Sequence, residues 1–250
     1  MAVVTESREP ANEVKFLIDS GCAGAIGDWA RAHIGPDPFA QDPAGFYHTT
    51  SLYFDTEELD VLHRRGSYAR SKYRVRRYGR AENLFLERKL KKSGVVTKKR
   101  SIIGLTELGR LSDADAQKGW NGYWFHRRIL ARQLRPICQI SYLRLARVTH
   151  TEAGPLRLTM DQELRANRTE AMLFDHGTST VPLSEKNPIL ELKFRNEMPA
   201  LFHKLVKEFS LSPAPVSKYR LGVAALGISD QPIDESAECE PDEQPTATAI

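Results

Sequence analysis

Two periods run through the apolar and polar positions of this chain. Period-two alternation predicts β-strands over residues 14–18, 49–55, 72–78, 84–91, 95–103, 139–148, 156–164 and 189–195, because successive side chains of a strand point to opposite faces. In the stretch 156–164, Leu156, Leu158, Met160 and Leu164 fall on one face, with Arg157, Thr159, Asp161 and Glu163 on the other. In 189–195, Leu190, Leu192 and Phe194 oppose Glu191, Lys193 and Arg195. Gly79, Ser93-Gly94 and Gly154-Pro155 sit where turns between strands are needed. Helical spacing replaces alternation after Pro199, where Leu201, Phe202, Leu205, Val206 and Phe209 form one stripe. A helix is also predicted over 23–33, ended by Gly35-Pro36, and 106–134 reads as largely helical with an interruption at 119–122. Asp55, with Glu58 three residues on, predicts an N-cap for a short helix to about Arg65. No internal repeat is evident.

What the polar faces carry changes the picture. Between Arg64 and Arg100 lie 15 of the 36 Lys and Arg residues, against only Glu82 and Glu87. Lys72, Arg74, Arg76 and Tyr78 share one strand face; on the next strand Phe85, Glu87, Lys89 and Lys91 oppose Leu84, Leu86, Arg88 and Leu90. A half-exposed sheet would show this alternation with its charges in water. Against that reading, the charged faces are rich in Arg and Tyr, and acids come singly among the bases at Glu13, Glu87, Asp161, Glu163 and Glu191. Cationic faces on adjacent strands repel unless an anion lies between them. The pattern predicts an α+β fold: a closed or nearly closed antiparallel β-barrel with a polar lumen for a polyanion and helices packed outside.

The chain's 250 residues suffice for one large domain, and its 41% hydrophobic and 27% charged content is that of a globular protein. No apolar run approaches the ~20 residues of a membrane span, and the start lacks a signal-peptide pattern. Cys22, Cys138 and Cys239 are odd in number and lack CxxC spacing, which points to a reducing, cytoplasmic setting without disulfides or structural zinc. Residues 1–11 read as a flexible leader, 12–228 as the folded domain and 229–250 as a disordered acidic tail. The tail holds seven acids and no base; without it the net charge of +4 becomes +11, from 36 bases and 25 acids.

Read in order, several blocks resemble the catalytic domain of the vacuolar transporter chaperone (VTC) polyphosphate polymerases, within the triphosphate tunnel metalloenzyme superfamily. They are Glu13-Val14-Lys15-Phe16, Ser51-Leu52-Tyr53-Phe54-Asp55, Lys72-Tyr73-Arg74-Val75-Arg76-Arg77-Tyr78-Gly79, Leu86-Glu87-Arg88-Lys89, Lys98-Lys99-Arg100, Tyr142-Leu143-Arg144, 156–164, Leu190-Glu191-Leu192-Lys193 and Ser217-Lys218-Tyr219-Arg220. The resemblance implies a tunnel of about eight antiparallel strands. Its lumen binds ATP or inorganic triphosphate and polyphosphate with Mn²⁺ or Mg²⁺, and polymerase members extend polyphosphate with the terminal phosphate of ATP. Eukaryotic members also carry membrane helices and an inositol-phosphate-sensing module, and neither is expected within these 250 residues.

Candidate residues follow from both readings. Arg74 and Arg76, two apart on one strand, present forks to successive phosphates. Arg144 and Arg157 are single cations on otherwise apolar strands; each needs an acid such as Asp161 or Glu163, or the anionic substrate, and the substrate is preferred. The resemblance puts Lys89 in the lumen and selects Lys98 over Lys99, in parity with Arg100. It puts Lys15 near the tunnel mouth, Lys193 on the substrate face, and Lys218, with Arg220 behind it, at the close of the ring. Glu191 is the expected metal ligand, with Glu13 and Glu163 second, since hard divalent cations use one or two carboxylates plus phosphate oxygens. His48, His63 and His126 lack ligand spacing; Trp120, Tyr123, Trp124 and Phe125 read as helix core. Metal-dependent phosphoryl transfer is the expected activity, with a triphosphatase and a non-enzymatic polyphosphate or RNA binder as alternatives. Nucleic acid is disfavoured because the arginines lack interleaved exposed aromatics.

Overall fold

The computed structural model describes residues 12–233 apart from 39, 41, 43, 70, 93, 94, 176–178 and 184–186. The leader, and the tail beyond residue 233, lie outside the described residues. Among the described residues nine strands form one antiparallel sheet: β1 (Asn12–Leu17), β2 (Phe46–Asp55), β3 (Ser71–Tyr78), β4 (Asn83–Lys92), β5 (Val95–Gly104), β6 (Arg135–Thr151), β7 (Gly154–Arg168), β8 (Val181–Pro182) and β9 (Ile189–Phe194). Their order is β1-β9-β7-β6-β2-β3-β4-β5, with the two-residue β8 paired to β7. The helices are α1 (Ser20–His33), α2 (Tyr123–Ala131), α3 (Ala200–Glu208) and α4 (Lys218–Ala225).

The sheet curls on itself. β1 and β4 stand six places apart in the order, which is about 29 Å in a flat sheet at ~4.8 Å per strand. Yet Lys89 of β4 lies 2.7 Å from Glu13 of β1. Among the described residues backbone pairing does not complete the circle, so the expected closed barrel is corrected to an open, curled sheet: there β1 pairs only β9, and β5 only β4. The reason lies in β1. It is short, and its outer edge is occupied by the chain returning at Pro213 and Ala214, where the Ala214 amide donates to the Lys15 carbonyl at 2.9 Å.

Two apolar cores cover the convex face. One packs α1 and α3 on β1, β9 and β7 through Phe16, Ile26, Trp29, Leu158, Met160, Leu192, Phe202 and Leu205. The other holds Leu52, Phe54, Val75, Leu84, Leu86 and Ile103 against Phe125 and Ile129 of α2. Burying each such side chain contributes roughly 1.5–3 kcal/mol.

The fourth helix departs from this plan. An added Cβ at Gly222 would stand 2.7 Å from Ile140 Cδ1, and Ile140 shares its strand face with Tyr142 and Arg144. Helix α4 therefore fills one end of the concave side. Lys218, expected to close the ring of bases, is its first residue.

The expected helix from Asp55 to Arg65 is absent. Leu59 (φ 58°) and Arg64 (φ 54°) adopt left-handed backbone conformations that interrupt one. The buried Asp55 carboxylate accepts instead from the amides of Thr56, Val61 and Leu62 at 2.7–2.9 Å and from the Tyr219 hydroxyl at 2.6 Å.

Candidate active site

Strand register places the charged faces of β1, β2, β3, β4, β5, β6, β7 and β9 inside the curl, since directly opposed residues project to the same side. Glu87, 1% exposed, is the hub of one cluster. It takes Arg74 Nε at 2.6 Å, Lys98 Nζ at 2.8 Å and Arg100 Nε at 2.8 Å. Burial would raise its pKa, but Arg74, Lys98, Arg76 and Arg100 hold it well below the usual carboxylate range. Lys98 is brought down to about 8, first by burial and then by the neighbouring guanidiniums, against the pull of Glu87. Burial acts upward on Tyr78, yet Arg76 and Arg100 bring it down to about 7. Arg100 donates to the Tyr78 hydroxyl at 3.3 Å.

A second cluster centres on Asp161, also 1% exposed. Arg144 holds it bidentately at 2.6 and 2.8 Å, and Lys218 approaches at 2.6 Å. These partners overcome burial and keep the carboxyl strongly acidic. Both single arginines thus find acids. The partner of Arg157 is Asp37, at 2.6 Å, with Tyr47 hydroxyl 3.3 Å away. Glu13 joins Lys89 at 2.7 Å and Lys193 at 2.9 Å, and both drive its pKa down against burial.

Two groups stand apart. Arg76, 4% exposed, donates Nε to Ser51 Oγ at 3.1 Å and forms no salt bridge among the described residues. Its guanidinium lies over the Tyr78 ring at 5.9 Å, and its charge acts on Tyr78 and Glu87. Glu191, half-buried, faces Lys15 across β1 and Thr159 across β7. Glu13, Glu87 and Asp161 are each gripped by at least two cations. Glu191 forms no salt bridge among the described residues. Lys15 turns away from it and donates to the Val216 carbonyl at 2.8 Å. Beside Glu191 the buried Thr159 Oγ1 has no hydrogen-bond partner, and the same is true of Thr49 Oγ1 and the Tyr142 hydroxyl on this concave face. Buried hydroxyls without a protein partner are rare, and their oxygens suit a water, an ion or a substrate oxygen.

Two expected site residues lie elsewhere. Glu163 sits on a β-bulge at φ 53°, where β7 takes three residues to β6's two; it is solvent-exposed, off the Arg157–Asp161 face. The extra residue resets the strand's parity and also turns Leu164 to the opposite side. Arg220, buried, donates to the Leu62 carbonyl at 3.1 Å and braces the loop after β2. As metal ligands, Glu163 is remote and Glu13 is committed to two lysines. No group of three or more His, Cys, Asp or Glu residues is arranged to hold a metal among the described residues. Glu191 with the unpartnered Thr159 hydroxyl fits a hard divalent cation whose other ligands are phosphate oxygens and water.

Sequence reasoning passed over Tyr47, Thr49, Ser51 and Tyr53, which alternate along β2 and face β3 and β6. Their parity was a usable signal. Nothing local marked Asp37, which comes from a proline-rich loop.

The fold is thus a curled antiparallel sheet with a cationic concave face, one end of which a helix fills. Residues 11–227 match the VTC domain family, and the chain belongs to it. No curated protein matches it. Among solved structures, a Bacillus halodurans protein described as a candidate adenylate cyclase is similar, with 18% identity, 84% of this chain and 96% of that chain covered, and a TM-score of 0.52. A Hippeastrum protein described as a candidate adenylyl cyclase with dominant triphosphatase activity has 14% identity, covers 87% and 97%, and has a TM-score of 0.49. The first likeness supports the fold. No helix among the described residues is long and apolar enough to cross a membrane.

Proposed function

We propose that the chain is a metal-dependent phosphotransferase acting on triphosphate and polyphosphate, and that it lengthens polyphosphate with the terminal phosphate of ATP. The observation that carries this reading is the concave face itself: among the described residues it holds a buried arginine in no salt bridge, hydroxyls without hydrogen-bond partners, and a carboxylate, Glu191, in no salt bridge beside cations. Membership of the VTC domain family supports activity on a triphosphate, and the choice of polymer synthesis follows the resemblance of the sequence blocks to the polyphosphate polymerases.

In this reading Arg74, Arg76, Lys89, Lys98, Arg144 and Arg157 neutralise the phosphate oxygens, with Lys15, Arg100, Lys193 and Lys218 extending the cationic wall. Glu87 and Asp161 position the cations, leaving their remaining N–H groups for substrate. Glu191 would hold Mn²⁺ or Mg²⁺, and the ion would supply neutralisation of phosphate charge. The terminal oxygen of a polyphosphate chain attacks the γ-phosphorus, the bond to the bridging oxygen breaks, and ADP leaves with the bridging electrons. Alignment and electrostatics dominate such a reaction, so no covalent nucleophile is required.

Incubation with ATP and Mg²⁺ followed by ³¹P NMR tests the proposal. ADP together with internal-phosphate signals of a long chain is the expected product. Orthophosphate and ADP alone would assign the site to a triphosphatase, and unchanged ATP would leave only a binder.

A further inference from the structure

On the opposite, convex face of the sheet, a second concavity of about 480 Å³ opens beside β3, β4, the 3-10 turn Gly66–Tyr68 and the C-terminal end of α2. Arg88, Arg128 and Arg132 converge on it, Ser67 and Ser71 line it too, and among the described residues no carboxylate does. Alternation along β4 sends Arg88 outward with Leu84 and Leu86, into a face otherwise devoted to packing against α2. A guanidinium there is costly unless its donors are met. Arg88 Nε is buried and has no hydrogen-bond partner.

Neighbouring charges add to the field rather than offset it. Lys99 lies opposite Arg88 in register and rests over the Trp124 ring at 4.7 Å. Burial, then Arg88 and Arg128, lower its pKa. Arg128 and Arg132 could serve only to complement the C-terminal end of the α2 dipole. That explanation does not reach Arg88, which is on a strand. Arg132 is already braced, donating to the Ser67 carbonyl at 3.3 Å and stacked 4.8 Å over Tyr68. It is therefore held in place at the rim.

We infer that this concavity is a second anion site, separate from the lumen, for a small ligand bearing two or more phosphoryl groups. Guanidinium forks match phosphate oxygens in pairs. Three of them without a carboxylate call for more than one negative charge. The volume lies in the range of small-molecule sites.

Isothermal titration with inorganic tripolyphosphate, without added metal, tests the inference independently of any turnover. The full chain should bind two equivalents. The pair Arg88→Gln and Arg128→Gln should abolish one, and the pair Arg74→Gln and Arg76→Gln the other. Because Arg128 is exposed, Arg128→Gln alone keeps the fold and should weaken the outer site about tenfold. A single equivalent that is lost with the Arg74/Arg76 pair and untouched by the Arg88/Arg128 pair would overturn the proposal. Citrate binding at the outer site as tightly as tripolyphosphate would overturn the phosphoryl assignment.

Discussion

Removing the charge of Glu87 isolates three cations at once, because Arg74, Lys98 and Arg100 all lean on it. Glu87→Gln should destabilise the protein by roughly 3–5 kcal/mol in urea unfolding. Tripolyphosphate should restore much of that loss by supplying the missing negative charge. Glu191→Gln should behave oppositely. No salt bridge is lost, so the unfolding midpoint should scarcely move, while turnover falls by about 100-fold or more through loss of the metal's anchor. A variant with unchanged turnover would remove Glu191 from the metal site. Tyr78 and Lys98 give the lumen a pH response. As pH rises through about 7 the Tyr78 phenol becomes an anion, and near 8 Lys98 loses its charge. Both changes weaken the attraction for phosphate. Tripolyphosphate affinity should therefore fall between pH 7 and 9, and Tyr78→Phe should flatten the lower part of that fall relative to the parent chain.

At the scale of elements, the strands were legible and the devices that break them were not. Alternation in Lys72–Tyr78 and Ile189–Phe194 found β3 and β9 because each buries one face against a helix or core cluster while the other carries charge. Glu163 was misplaced because one extra residue on β7 reverses parity, and no residue type announces it. Helix α4 escaped notice because it is short, and Lys218, Tyr219 and Arg220 serve three different surroundings rather than one apolar stripe. Asp55 carried a correct signal with a different outcome: it caps amides, but those of an irregular loop. Its four hydrogen bonds tie that loop to Tyr219 of α4. Asp55→Ala should lower stability by about 2–4 kcal/mol in denaturant titration and loosen α4, seen as faster amide exchange over 218–225. Unchanged exchange there would show that α4 is anchored by other contacts.

For the molecule as a whole, the curl is held by side chains where the backbone leaves it open. Glu13 ties β1 to β4 through Lys89 and to β9 through Lys193, so the strand at one end of the sheet meets the strand next to the other end through an ion-pair clasp. Glu13, Glu87 and Asp161 all have depressed pKa values. Their contribution is complete above the unfolded-state values of about 4 and is lost as pH falls further toward the folded-state values. Thermal stability should be flat near neutrality with respect to these groups and drop steeply below about pH 4, with Glu13→Gln showing a shallower drop. The account rests most heavily on linked phosphates lying inside the curl. A crystal structure with tripolyphosphate and Mn²⁺ tests this directly. Phosphorus positions along Arg74, Arg76 and Arg144, with the anomalous manganese peak beside Glu191, are the predicted result. Phosphate bound solely on the convex surface, with only water between those arginines, would contradict it.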